Sequence, residues 1–173
     1  MADDYGGVLG AFPYAFRTSD SLLFRSYVVL GGLLTVAVSL LFVAAVIGVI
    51  AGTTGGQGGS LTLSRSFFAV VGLFVVVPLV APVLFVARRH RRRRERGETA
   101  DDPYDAALAA TGYLFVGALY AGLVISVPPS QQTPPTGALA PVVAALYATP
   151  QLAGVVPPLL AAVVVLLVHR RLR

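Results

Sequence analysis

The chain has no cysteine, no lysine and little charge of any kind. Without cysteine it forms no disulfide, builds no thiolate metal site and offers no thiol nucleophile. Without lysine, all 13 basic residues are arginine, and only 12% of the 173 residues are charged. A soluble domain averages about 25% charged residues, so this composition excludes an ordinary water-facing globule. The apolar runs also lack acidic residues, lysine and histidine in their interiors. That removes the usual ion-carrying carboxylate of a coupled pump.

What is present is apolar sequence in long runs, with hydrophobic residues making up 56% of the chain. A membrane-crossing helix needs about 20 such residues. The pattern predicts an all-α polytopic membrane protein, a four-transmembrane-helix bundle with spans at about 22–52, 66–87, 103–127 and 151–168. Four spans and their connections use up the length, so no separate soluble domain is expected. The start of the chain carries Asp3 and Asp4 in place of a basic region, and the first apolar run is too long for a cleavable signal.

Residues 1–20 read as an interfacial segment. Val8, Leu9, Phe12 and Phe16 recur at helical spacing, Tyr5 and Tyr14 suit the headgroup level, and Pro13 interrupts any long helix. Ser19 or Asp20 is expected to cap span one, and Arg25 to snorkel from its first turns. Residues 53–64 are an uncharged external hairpin. Pro78 and Pro82 kink span two. Residues 88–102 form a basic cytoplasmic loop. Asp102, Pro103 and Asp105 make a strong start for span three. After the proline-rich loop 128–136, residues 137–149 are apolar but too short to span. They are either a short outer interfacial helix or the beginning of one bent helix that continues into span four.

Arginine sets the orientation. Arg17, Arg25, seven arginines of the middle loop and Arg170, Arg171 and Arg173 share one side, while Arg65 stands on the other. The positive-inside rule then places both termini in the cytoplasm (N-in/C-in), in a multi-pass protein of the cytoplasmic membrane.

The charged loop offers Arg88, Arg89, Arg91, Arg92, Arg93 and Arg94 as contacts for anionic lipid headgroups or an acidic partner. Topology alone also explains them. The acids that follow bring the loop to about +2 and leave nucleic acid without a case. His90 and His169 read as solvated boundary residues, since neither has the spaced partners of a metal site. No catalytic residue, cofactor or metal is expected. No histidine is placed to activate Ser39 or Ser126. GGQGG lacks the ending of a phosphate loop. Gly48, Gly52, Gly117 and Ala121 mark small-residue faces where helices approach closely, either within one bundle or against another subunit.

The segments GAFPYAFRTSDSLLFRSYVVLGGLL and VPPSQQTPPTGALAPVVAALYATPQLAGVVPP resemble a family of uncharacterised small multi-spanning membrane proteins of halophilic archaea. The resemblance implies an archaeal cytoplasmic membrane and says nothing of catalysis. The residues themselves point to a non-enzymatic accessory, assembly or scaffold subunit that packs on a membrane partner or on itself. A small oligomeric transporter or channel component for neutral or apolar solutes is the alternative. A lipid-modifying enzyme using Asp101, Asp102 and Asp105 comes third.

Overall fold

The structure, a computed structural model, describes residues 7–53, 72–97 and 102–172. Helices are the only regular secondary structure among the described residues, which contain no strand. Six α-helices follow one another: α1 Gly7–Thr18, α2 Leu22–Thr53, α3 Val77–Glu95, α4 Asp102–Ile125, α5 Ala140–Tyr147 and α6 Val156–Leu172. A π-helical turn, Gly72–Val76, leads into α3. Short 3-10 turns, Pro129–Gln131 and Gln151–Val155, precede α5 and α6.

Among the described residues, three helical stretches are long and apolar enough to cross a membrane: Leu22–Gly48, Pro103–Ile125 and Gln151–Leu172. The first part of expected span two, and the external hairpin before it, lie outside the described residues. The described remainder is the π turn and α3.

Two compact units divide the chain, Met1–Ala110 and Thr111–Arg173. In the first, α1 packs on α3 and α2, and α2 also rests on α3. The small pair Ala11 and Ala15, one turn apart, forms the fully buried face of α1, while Val8, Leu9 and Phe16 stay exposed. Small side chains on the packed face let backbones come close, and they leave the large apolar ones to the surroundings. Pro13 lies inside α1 without ending it. It removes one N–H donor, a loss that a short helix packed on two neighbours tolerates. Phe24, Tyr27, Leu79, Val83, Val86 and Leu108 complete this core.

Pro78 opens α3 and Pro82 lies inside it. Pro82 has no N–H to offer the carbonyl one turn back. On the same turn the Tyr27 hydroxyl donates to the Leu79 carbonyl at 2.6 Å, so a side chain from α2 reaches the backbone where the helix is weakest.

In the second unit, Gly122 of α4 and Gly154 of the 3-10 turn before α6 bring two backbones together. A Cβ on Gly154 would meet the Gly122 carbonyl oxygen at 2.6 Å and collide with the Ser126 hydroxyl, and one on Gly122 would collide with the Gly154 carbonyl. Within residues 137–149, Ala140–Tyr147 forms a separate short helix rather than the start of one long bent helix. Pro150 and the 3-10 turn separate it from α6. The side-chain amides of Gln132 and Gln151 both donate to the Val127 carbonyl, at 3.1 and 3.2 Å, and so fasten the proline-rich loop to the end of α4.

Candidate functional site

The most chemically charged place in the described residues is a buried polar knot in the first unit. Ser19 follows α1, His90 stands on α3 and Asp105 is in the first turns of α4. Their exposures are 0%, 5% and 1%. The Ser19 hydroxyl donates to Asp105 Oδ2 at 2.6 Å, and His90 Nε2 lies 2.8 Å from the same oxygen. With the proton on Nε2, Oδ2 receives two donors. Among the described residues, Asp105 Oδ1 is the buried side-chain atom without a hydrogen-bond partner.

This geometry corrects the expectation for His90. It is not a solvated boundary residue but part of a buried pair with Asp105. Asp105 likewise does more than favour the start of its helix: it ties α4 to α3 and to the α1–α2 connection. The cap of α2 also differs from expectation. Ser21, not Ser19 or Asp20, receives the Phe24 N–H on its hydroxyl, and Ser19 is committed to Asp105.

Serine, histidine and aspartate are the residue types of a hydrolytic triad, but their order here is different. In a triad the imidazole takes the serine proton and the carboxylate orients the imidazole. Here serine and imidazole both address one carboxylate oxygen, so nothing draws the proton from Ser19. Ser39 and Ser126 donate instead to the carbonyls one turn back, of Thr35 and Gly122. No group of three His, Cys, Asp or Glu side chains among the described residues is placed to hold a metal.

Arginine–aromatic pairs surround the knot in the same unit. The Arg89 guanidinium lies 3.9 Å from the Tyr104 ring centroid, one residue before the His90–Asp105 pair on both helices. Arg94 lies over Tyr14 at 5.7 Å and Arg25 over Phe16 at 5.6 Å. Arg25 Nε also donates to the Ser19 and Phe16 carbonyls, at 2.8 and 3.2 Å.

The arginines expected in a loop stand on a helix. Arg88, Arg89, Arg91, Arg92, Arg93 and Arg94 all belong to α3, which runs on to Glu95. Arg88, Arg91, Arg92 and Arg94 are exposed, and Arg89 and Arg93 are half-buried. Helical spacing therefore spreads them around the axis instead of gathering them in one patch, and Arg91 faces Glu95 at 3.5 Å. The structure does not bring the small-residue positions together either. A Cβ on Gly48 or Gly117 would meet open space, Ala121 is half-buried, and the surroundings of Gly52 lie outside the described residues. The close crossing falls instead at Gly122 and Gly154.

No curated protein and no solved structure matches the chain. A family model does match, over residues 1–173. The chain therefore belongs to the family described as Domain of unknown function (DUF8056).

Proposed function

We propose that this protein is a non-enzymatic integral membrane subunit that packs on membrane partners as an accessory, assembly or scaffold component. The observation that carries the reading is the state of α2. Only 6% of its most apolar stretch is buried, against 39% for α4. Beyond Gly31, no described side chain of α2 is buried. Leu33, Val36, Leu40, Leu41, Val43 and Ile47 are large apolar side chains left exposed. In water such a helix would aggregate. In a bilayer it is a span with free flanks for lipid or a neighbouring helix.

The finer picture belongs to the same proposal: four spans, both termini cytoplasmic, a multi-pass protein of an archaeal cytoplasmic membrane with anionic headgroups around its arginines. The arginine asymmetry supports the orientation. The apolar sequence from Phe67 to Val86 supports a fourth span.

A second reading has its own observation. Buried ionisable residues in membrane helices mark substrate or proton paths by default, and the His90–Asp105 pair supports a small transporter on that ground. Gentle solubilisation from the native membrane, with mass and composition read on the intact complex, separates the two. Stoichiometric foreign subunits are expected. A lone monomer or homo-oligomer overturns the accessory reading in favour of transport.

A further inference from the structure

We propose that Arg25 binds the phosphate of an anionic phospholipid at the start of α2. The inference rests on the membrane reading above and deepens it by naming the headgroup site. Arg25 stands in the first turn of α2 and is the one charged residue of that helix, where an unpaired charge is costly. Its Nε donates to the Ser19 and Phe16 carbonyls and its guanidinium lies over the Phe16 ring. Those contacts fix the plane of the group but use one of its five N–H donors. The remaining four, on the two terminal nitrogens, form the flat fork that matches two phosphate oxygens.

Nothing in the described chain neutralises this charge. No described carboxylate lies within ion-pair distance of Arg25, including that of the exposed Asp20 five residues earlier. The arginines of α3 are placed differently, on a helix whose charged turns also carry Glu95. The backbone beside Arg25 adds to the attraction. The first intrahelical bond of α2 runs from the Arg25 N–H to the Ser21 carbonyl, and the Phe24 N–H is taken by the Ser21 hydroxyl. The Leu22 and Leu23 N–H groups are left at the positive end of the helix dipole.

The flanks identify a lipid rather than free phosphate as the source of the anion. Leu22, Leu23, Val29 and Phe16 are exposed apolar side chains on the two helix ends that frame the guanidinium. A phosphodiester gripped by Arg25 would lay its acyl chains along them. A soluble phosphate would leave this apolar wall uncovered.

The experiment uses the full chain in nanodiscs of phosphatidylcholine doped with a headgroup-photoactivatable phosphatidylglycerol, with adducts mapped by mass spectrometry. Adducts within residues 16–29, enriched over a photoactivatable phosphatidylcholine, are expected. Adducts confined to residues 88–96, or equal labelling by the two lipids, overturn the proposal. As a second measurement, native mass spectrometry counts phosphatidylglycerol retained by Arg25→Gln, Arg25→Lys and Arg92→Gln. Loss of about tenfold is expected for Arg25→Gln, the scale of one charge-assisted pair, with a smaller loss for Arg25→Lys and little for Arg92→Gln. Unchanged retention in Arg25→Gln also overturns it. Should Arg25→Gln not fold, the wild-type adducts decide. Extraction of the wild type from membranes by alkaline carbonate would sink the membrane reading itself. Resistance to carbonate with no adduct at residues 16–29 would sink the headgroup site alone.

Discussion

His90 on α3 and Asp105 on α4, fifteen residues apart, meet at 2.8 Å with both side chains buried. The pair is asymmetric in what its loss leaves behind. Without His90, the carboxylate keeps a single donor from Ser19 and an unpartnered Oδ1. Without Asp105, no carboxylate is left buried, and the imidazole loses one hydrogen-bond partner. His90→Leu is therefore expected to destabilise the first unit by about 3–5 kcal/mol, the cost of a broken buried pair, and Asp105→Leu by less. The double variant should recover part of the loss. Thermal unfolding in one detergent checks the order, and an Asp105→Leu loss larger than that of His90→Leu would refute the argument.

The Gly122–Gly154 crossing predicts a position-specific intolerance of one methyl group. Gly122→Ala and Gly154→Ala are each expected to cost about 1–3 kcal/mol through overpacking. Gly117→Ala, where a Cβ meets open space, should leave the isolated chain as stable as before. A change in complex size on Gly117→Leu, with monomer stability unchanged, would place a partner on that face. Size-exclusion profiles and unfolding midpoints together read both quantities.

Tyr27→Phe removes the donor to the Leu79 carbonyl without changing the shape of the core. A loss of about 1–2 kcal/mol is expected. Because the bond lies on the proline turn of α3, amide exchange should quicken in residues 79–86 more than in α4. Uniform quickening would mean that the bond holds no special place at that turn.

The arginine asymmetry yields a topological prediction. Replacing Arg88, Arg89, Arg91, Arg92, Arg93 and Arg94 by glutamine, while adding arginines to the segment 53–64, is expected to produce mixed orientation. Accessibility labelling of single introduced cysteines at the two ends of α4 would report it. Unchanged labelling would show that these residues serve something other than topology.

The long apolar runs were legible as helices because a composition this poor in charge leaves few other folds. Leu22–Thr53 and Asp102–Ile125 fall close to the expected spans for that reason. The buried knot was not legible. Ser19 and Asp105 lie 86 residues apart, and each has an ordinary local explanation as a capping residue. His90 stands among arginines, and its neighbours in sequence suggest solvent. Only the packing of α3 on α1 turns it inward. The small-residue faces misled for a related reason. A glycine spacing marks where backbones can approach, and Gly122 of α4 finds a partner where Gly117, five residues earlier, does not.

The length of α2 has a consequence for where the protein can reside. At 32 residues it extends about 48 Å, well beyond the hydrocarbon core of about 30 Å. Beyond Gly31, its described side chains are exposed or half-buried. In a bilayer, a helix that outreaches the core fits by leaning, further in a thin membrane than in a thick one.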